Sequence, residues 1–221
     1  MKIAIIGASG KTGTALVGEA LKLGHQVVAV CRSSSTARLQ AFSEHPGCTV
    51  ISAPVVSDAP TLTKALTGCD AVVAILISVS QLKASDLVKS LAVASTANGI
   101  RRLVFTAGEV TVTPEPGEPF TLRQKVMLRA FSIISFFTPF SMPDMIRSSI
   151  LIRQQPDWDW TIIRAPTLND TPAHGYRLCE LHDVTAKHAL SREDYATCML
   201  DSLENQAHER RTLTVLPGLN S

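Results

Sequence analysis

Apolar residues recur along the first hundred positions in two alternating rhythms. Ile3-Ala4-Ile5-Ile6 is a short unbroken apolar run, the pattern of a strand buried on both faces. Leu16, Ala20 and Leu23 then fall at i, i+4 and i+7, a helix face that Gly24 terminates. Runs at Val27–Cys31, Thr49–Ile51, Ala71–Ile77 and Leu103–Phe105 predict four more strands. Helical stretches separate them: a weak one around Thr36–Ser43, one at Leu62–Leu66 stopped by Gly68, and a Leu87/Leu91/Ala94 face closed by Asn98-Gly99. Strand and helix in regular alternation predict right-handed crossovers. The fold class is therefore α/β: a doubly wound, mostly parallel sheet with helices on both faces.

Regularity stops between Glu109 and Asp144. Pro114, Pro116 and Pro119 forbid a long helix there, and an apolar patch follows: Phe131, Ile133, Ile134, Phe136, Phe137 and Phe140. The patch reads either as a lid over a flat apolar substrate or as packing against the sheet or a second subunit. Order resumes with a helix over Asp144–Gln155 and a strand at Thr161–Ile163, then a punctuated loop over Ala165–Gly175. Ser191 is an N-cap with Asp194 at N3, and Tyr195, Met199 and Leu203 mark the inward face of the last helix. Thr212–Leu216 is a closing strand. With no repeat and no polar linker, residues 1–221 form a single domain. Residues 1–108 are its cofactor half, and 109–221 are a substrate-side half with an irregular lid over 109–143.

Composition narrows the function classes. Hydrophobic residues make up 45% and charged residues 18%, which excludes a disordered chain. A net charge of +2 is too even to predict nucleic-acid binding. Five cysteines with no C-x-x-C spacing argue against a zinc site or a disulfide framework and for thiols in a reducing compartment. No apolar run approaches the ~18–20 residues of a membrane span, so the expected location is the cytoplasm.

The most informative segment is Gly7-Ala8-Ser9-Gly10-Lys11-Thr12-Gly13, which follows the first strand and opens the first helix. Gly7 permits a tight turn, Gly10 lets the backbone approach a pyrophosphate, and Gly13 allows close helix–strand packing. Gly7, Ser9, Gly10, Lys11, Thr12 and Gly13 are therefore nominated as cofactor-binding residues, with the helix N-terminus facing the phosphates. The spacing before Lys11 is too short for a Walker loop. The second strand ends in Cys31-Arg32-Ser33-Ser34-Ser35, and Arg32 stands where a binder of NAD carries Asp or Glu to meet the ribose 2′-OH. No carboxylate lies between Glu19 and Glu44. Arg32, helped by Ser33 and neighbouring hydroxyls, suits a 2′-phosphate, so the predicted cofactor is NADP. Arg38 is a second candidate.

These residues, together with Gly68-Cys69-Asp70-Ala71-Val72-Val73, Trp160-Thr161-Ile162-Ile163-Arg164-Ala165-Pro166 and Leu190-Ser191-Arg192-Glu193-Asp194, resemble the atypical short-chain dehydrogenase/reductase group. Within it, the chain is similar to the NmrA-like and biliverdin reductase B (flavin reductase) branch over nearly its whole length. The resemblance implies a Rossmann-type fold with NADP across the strand ends. It also implies that Leu76 and Ser78, Thr106 and Ala107, and Pro166 line the cofactor. The chain departs from the wider superfamily in having no Tyr-x-x-x-Lys pair: Glu180 follows Tyr176 and Met199 follows Tyr195 at that spacing. Met145 or Ile146 stands near the expected Tyr and Ile150 near the Lys. Ala107 replaces a frequent Ser, and Ala53-Pro54-Val55 lacks the usual adenine-side Asp.

For chemistry, Glu109 is the best-placed carboxylate for proton transfer and Thr106 can hydrogen-bond cofactor or substrate. His174 reads as a solvated loop residue. The function expected is NADP-dependent hydride transfer to a small apolar aromatic, quinone-like or polyketide-type substrate, by a monomer or homodimer, with no metal. Two alternatives stay open: non-redox isomerase, cyclase or dehydratase chemistry on the same fold, and a non-enzymatic, NmrA-like NADP-sensing protein.

Overall fold

Alternate residues of the first strand serve two different cores. In the computed structural model, β1 (Lys2–Ile6) turns Ile3 and Ile5 to one side of the sheet and Ala4 and Ile6 to the other. Both faces are covered, so the strand reads as a continuous apolar run. The structure describes residues 1–79, 82–108, 126, 129, 140–179 and 189–218.

The elements follow in order. The first half holds α1 (Lys11–Lys22), β2 (Gln26–Arg32), a 3₁₀ turn (Ser33–Leu39), α2 (Gln40–Ser43), β3 (Cys48–Ala53), α3 (Ala59–Ala65), β4 (Ala71–Ala74), α4 (Ala84–Asn98) and β5 (Arg102–Gly108). The second half holds α5 (Met142–Arg153), β6 (Asp159–Ala165), β7 (Leu168–Asn169), β8 (Tyr176–Cys179), β9 (Leu190–Ser191), α6 (Arg192–Glu204) and β10 (Arg211–Pro217). Eight strands form one sheet in the order β3-β2-β1-β4-β5-β6-β10-β8, and β7 pairs with β9 apart from it. Every pairing in the large sheet is parallel except β10 with β8. Helices α1 and α6 cover the Ile3/Ile5 face, and α3, α4 and α5 cover the Ala4/Ile6 face. This is the doubly wound, mostly parallel sheet that the apolar rhythm predicts, in the Rossmann-type arrangement that the family resemblance implies.

Four local differences from the expected elements have physical causes. Strand β4 ends at Ala74, three residues early. Ile75 N still donates to Ile6 O at 3.0 Å, but the chain then leaves the ladder and Ile75–Ile77 turn toward the sheet's C-terminal edge. Leu23 is the C-cap of α1 and is exposed, one position beyond the last turn that faces the core. The weak helix starts as a 3₁₀ turn because its hydroxyls bond locally: Ser33 Oγ donates to Ala53 O and Thr36 Oγ1 to Ser33 O. Helix α5 begins at Met142, so the region expected as lid ends sooner. Phe140 pairs with Val79, and Ser141 N donates to Ser78 O at 2.9 Å. Residues 109–125, 127, 128 and 130–139, with Glu109 and the aromatic patch before Phe140, lie outside the described residues.

Carboxylates fasten the helices. Asp58 caps α3 by accepting from Thr61 N. Ser191 caps α6 through Asp194 N at 2.9 Å. The buried Asp194 side chain in turn accepts from Ser191 Oγ, His174 N and Gly175 N at 2.8, 3.0 and 2.9 Å, which ties down the loop after β7. Asp144, in the first turn of α5, accepts from Ser78 Oγ at 2.6 Å, Ser85 Oγ at 2.5 Å and Ser85 N at 3.3 Å. It thereby joins the β4–α4 loop, the α4 N-terminus and α5. Partial burial pushes the Asp144 carboxyl up, but the hydrogen bonds from Ser78 and from Ser85 and Ala84 outweigh it. The group ionises below the usual carboxylate range. Among the described residues no helix is long and apolar enough to cross a membrane, and all five cysteines are free thiols.

Two outcomes are expected. Asp144→Ala should cost about 2–3 kcal/mol at neutral pH, since it leaves two hydroxyls and a helix N-terminus without their charged acceptor. The folded pKa is depressed, so this contribution is present above the unfolded value of about 3.9 and fades as pH falls through the folded one. Urea denaturation at pH 7 and pH 3 should therefore show the gap between variant and parent shrinking with acid. Gly13→Ala should lose about 3 kcal/mol by the same assay, because a Cβ there would lie 2.3 Å from Gly7 O and 2.6 Å from Ala8 O. In an open helical position the same change stabilises by about 1 kcal/mol.

Candidate functional site

The order β3-β2-β1-β4-β5 reverses its winding between β1 and β4. In doubly wound sheets the crevice outside the strand ends at such a point is the ligand site. A cleft of about 500 Å³ opens there. Its floor is the Gly7–Gly13 loop, one wall carries Arg32, Ser35, Arg38 and Val56, and the other carries Ile75, Leu76, Ile77, Leu82, Gly108, Phe140 and Met145, with Arg192 at its mouth. A separate hollow of about 320 Å³ beside Leu39, Gln40, Val50 and Ser52 contains no residue of the loop.

The loop is shaped by the three glycines in different ways. Gly7 has φ +85°, and the N–H groups of Gly7 and Ala8 both donate to Val30 O at 3.0 Å, which turns the chain over the end of β2. Gly13 is required by the helix–strand contact described above. Gly10 is different. Its φ of −75° suits any residue, and a Cβ there would meet only Gly7 O at 3.5 Å, ordinary van der Waals contact. Nothing inside the protein demands glycine at position 10, and the space a side chain would take belongs to the cleft. Helix α1 also lacks a side-chain cap and an acidic residue in its first turn. The N–H groups of Lys11, Thr12 and Gly13 meet no protein acceptor among the described residues. Donors without acceptors, a partial positive charge and a bare backbone fit the pyrophosphate of a dinucleotide.

The charge of the lining fits too. Lys11, Arg32, Arg38 and Arg192 face the cleft, and among the described residues no carboxylate lines it. Among the described residues neither Arg32 nor Arg38 forms an ion pair. Arg32 ends β2 and Arg38 lies in the 3₁₀ turn that follows it, the strand exit where a carboxylate would repel a 2′-phosphate.

The residues nominated from sequence divide into two groups. Gly7, Ser9, Gly10, Lys11, Thr12, Gly13, Arg32 and Leu76 come together along the cleft. Ser33, Ser78, Thr106, Ala107 and Pro166 do not line it. Ser33 is spent on Ala53 O, and Ser78 is wholly buried and donates to Asp144. Thr106, 6% exposed, accepts from Leu76 N at 2.9 Å and so holds the β4 exit in place. Ala107 is buried one residue short of Gly108, which does reach the cleft.

Val56, Met145 and Arg192 line the cleft without having been nominated there, and Ser35, one of the hydroxyls grouped with Arg32, and Phe140, of the aromatic patch, line it as well. Val56 supplies an apolar wall after β3, where the expected Asp is missing. Its signal was an apolar residue at a strand exit, which reads equally well as core.

Neither tyrosine reaches the cleft. Tyr195 OH donates to Ile163 O at 2.8 Å, 2% exposed, and burial pushes its phenol far up. Tyr176 OH donates to Asp201, and burial and that carboxylate push it up likewise. Both phenols stay protonated and engaged elsewhere. Among the described residues no His, Cys, Asp or Glu cluster could hold a metal ion.

The fold recurs in solved structures at low sequence identity. A short-chain dehydrogenase/reductase from Veillonella parvula, in complex with NADP, is 18% identical with a TM-score of 0.76, covering 99% of this chain and 95% of that one. The oxidoreductase ylbE from Lactococcus lactis is 15% identical with a TM-score of 0.73, covering 99% and 91%. A Rossmann-fold NAD(P)-binding family protein from Shigella flexneri is 18% identical with a TM-score of 0.63, covering 99% and 94%. No curated protein sequence matches the chain. The family model for NAD(P)H-binding proteins matches residues 7–206, from the first glycine of the loop to just past α6, and the chain belongs to that family.

Proposed function

We propose that the protein is an NADP-dependent oxidoreductase that transfers hydride to a small apolar aromatic, quinone-like or polyketide-type substrate. The observation that carries this reading is the cleft itself: an uncapped helix N-terminus over a bare Gly10, with four cations and, among the described residues, no carboxylate in the lining. When bound, the nicotinamide supplies the hydride chemistry, and the protein supplies binding and orientation. The α1 N-terminus and Lys11 hold the phosphates. Arg32, with Arg38 and Ser35, selects the 2′-phosphate. Leu76, fixed by Thr106, and the apolar Leu82, Phe140 and Met145 keep water from the far end. Thr106 acts through Leu76 and is a positioning residue. Glu109, next in the chain after Gly108, is assigned to proton transfer. A cytoplasmic location suits the five free thiols.

The engagement of both tyrosines elsewhere favours a second reading, in which the same cleft serves isomerisation, cyclisation or dehydration, or senses NADP without turnover.

Three measurements test the proposal. Arg32→Ala should weaken NADPH binding roughly tenfold to several-hundredfold while leaving NADH nearly unaffected, as read by fluorescence titration. Equal loss for both cofactors would remove the 2′-phosphate argument. Gly10→Val should keep the parent melting temperature within a few degrees but lower NADPH affinity by about tenfold or more, because the side chain takes the space of the pyrophosphate. NADPH oxidation followed at 340 nm against quinones, flavins and polyketide ketones should show turnover. Tight NADPH binding with silence across that panel would transfer support to the second reading.

A further inference from the structure

We propose that Arg192 is a second anchor for the dinucleotide's phosphates and that Asp170 is the counter-ion it gives up when they bind. The inference rests on reading the cleft as the cofactor site. Arg192 opens α6 and faces the mouth of the cleft together with Lys11, the first residue of α1. Two helix starts thus bring two cations to one place. A single carboxylate bridges them. Asp170, just after β7, lies 3.4 Å from Lys11 Nζ and accepts from the Arg192 guanidinium. Its hydrogen bond to Arg192 is the main reason its carboxyl ionises below the usual range, so it is charged at neutral pH.

The geometry suits exchange. Asp170 is 64% and Lys11 76% exposed, so water screens their pairing and the carboxylate is lightly held. Arg192 is only 18% exposed, and it also donates to Leu168 O at 3.3 Å, which keeps the guanidinium at the mouth when the carboxylate departs. Downstream, Asp194 grips His174 N and Gly175 N and Glu193 accepts from Ala173 N at 3.3 Å, so the backbone on either side of Asp170 is held while its own side chain stays exposed. Lys11 and Arg192 line the cleft and also an adjoining hollow of about 510 Å³, and Asp170 lines only the hollow, so the two cations stand between the carboxylate and the cofactor cleft. A pyrophosphate offers the same two cations more negative charge and more acceptor oxygens than one carboxylate does. Asp170 in this role holds Lys11 and Arg192 in position before the cofactor arrives, and it sets how tightly the cofactor binds.

The test is titration of the full chain with NADPH and with 2′-AMP at about 0.15 M salt, where the field of an exposed charge fades over about 8 Å. The smaller probe keeps the 2′-phosphate and lacks the pyrophosphate. Asp170→Asn should tighten NADPH about twofold to tenfold and leave 2′-AMP unchanged. Arg192→Gln should weaken NADPH about tenfold and again spare 2′-AMP. Asp170 is exposed, so its variant keeps the proposal open to refutation even where Arg192→Gln fails to fold. NADPH affinity unchanged in Asp170→Asn, or both ligands altered alike, would overturn the inference and leave the cofactor reading standing. A parent protein that binds neither ligand would overturn that reading and this one together.

Discussion

The structure depends on how closely the first turn of α1 approaches the end of β1. Gly13 sits over the Gly7 and Ala8 carbonyls with no space for even one methyl group. That contact sets the direction of α1 relative to the sheet. It places the helix N-terminus at the strand ends, at the crevice between β1 and β4, and packs Leu16, Val17 and Ala20 onto Ile3 and Ile5. A helix one methyl group further out would lose both the core contact and the aim of its N–H groups. Packing and binding are therefore decided by the same few atoms.

Around that contact the acidic residues are distributed in a way that explains the cleft. Asp58, Asp144 and Asp194 are each committed to a helix start or a loop, where they accept hydrogen bonds that would otherwise go unmade. Among the described residues, helix α1 alone of the four longest helices has neither an acidic residue in its first turn nor a side-chain cap. A carboxylate there would stabilise the helix by a few tenths of a kcal/mol to about 1 kcal/mol, and would repel a phosphate from the same N–H groups. The cleft keeps its donors free at a modest cost in stability. Asp170 stands at the edge of this pattern, close enough to neutralise two cations and exposed enough to be exchanged.

The apolar end of the cleft is built from segments distant in sequence. Val79 pairs with both Leu82 and Phe140, Ser141 N reaches Ser78 O, and Asp144 closes the junction. Leu76, Leu82, Phe140 and Met145 thereby reach the same end of the cleft. The junction couples the loop after β4 to the start of α5, which carries Met145.

Much of this was legible in the chain. The alternation of buried runs and 3.6-residue faces specified the parallel sheet, because a strand covered on both sides must be apolar at every position. The glycine spacing after β1 specified the loop, because backbone that must turn, pack and stay bare leaves glycine as the one residue that serves. Arg32 was legible as a cation because it ends a strand whose exit position follows from the loop. Side-chain direction at the other strand ends was not legible. Ser78, Ala107 and Ser33 stand within one or two residues of the cleft, yet a single step along an extended chain reverses the face a side chain meets. Whether Ser78 turned to solvent, cofactor or Asp144 depended on a partner 66 residues away. The fate of the two tyrosines, the meeting of Lys11 with Asp170 and Arg192, and the pairing of Val79 with Phe140 are likewise long-range. Periodicity and local spacing determine elements and their buried faces. Which polar groups meet across those elements was decided only by the tertiary structure, because that choice depends on distances that no local pattern encodes.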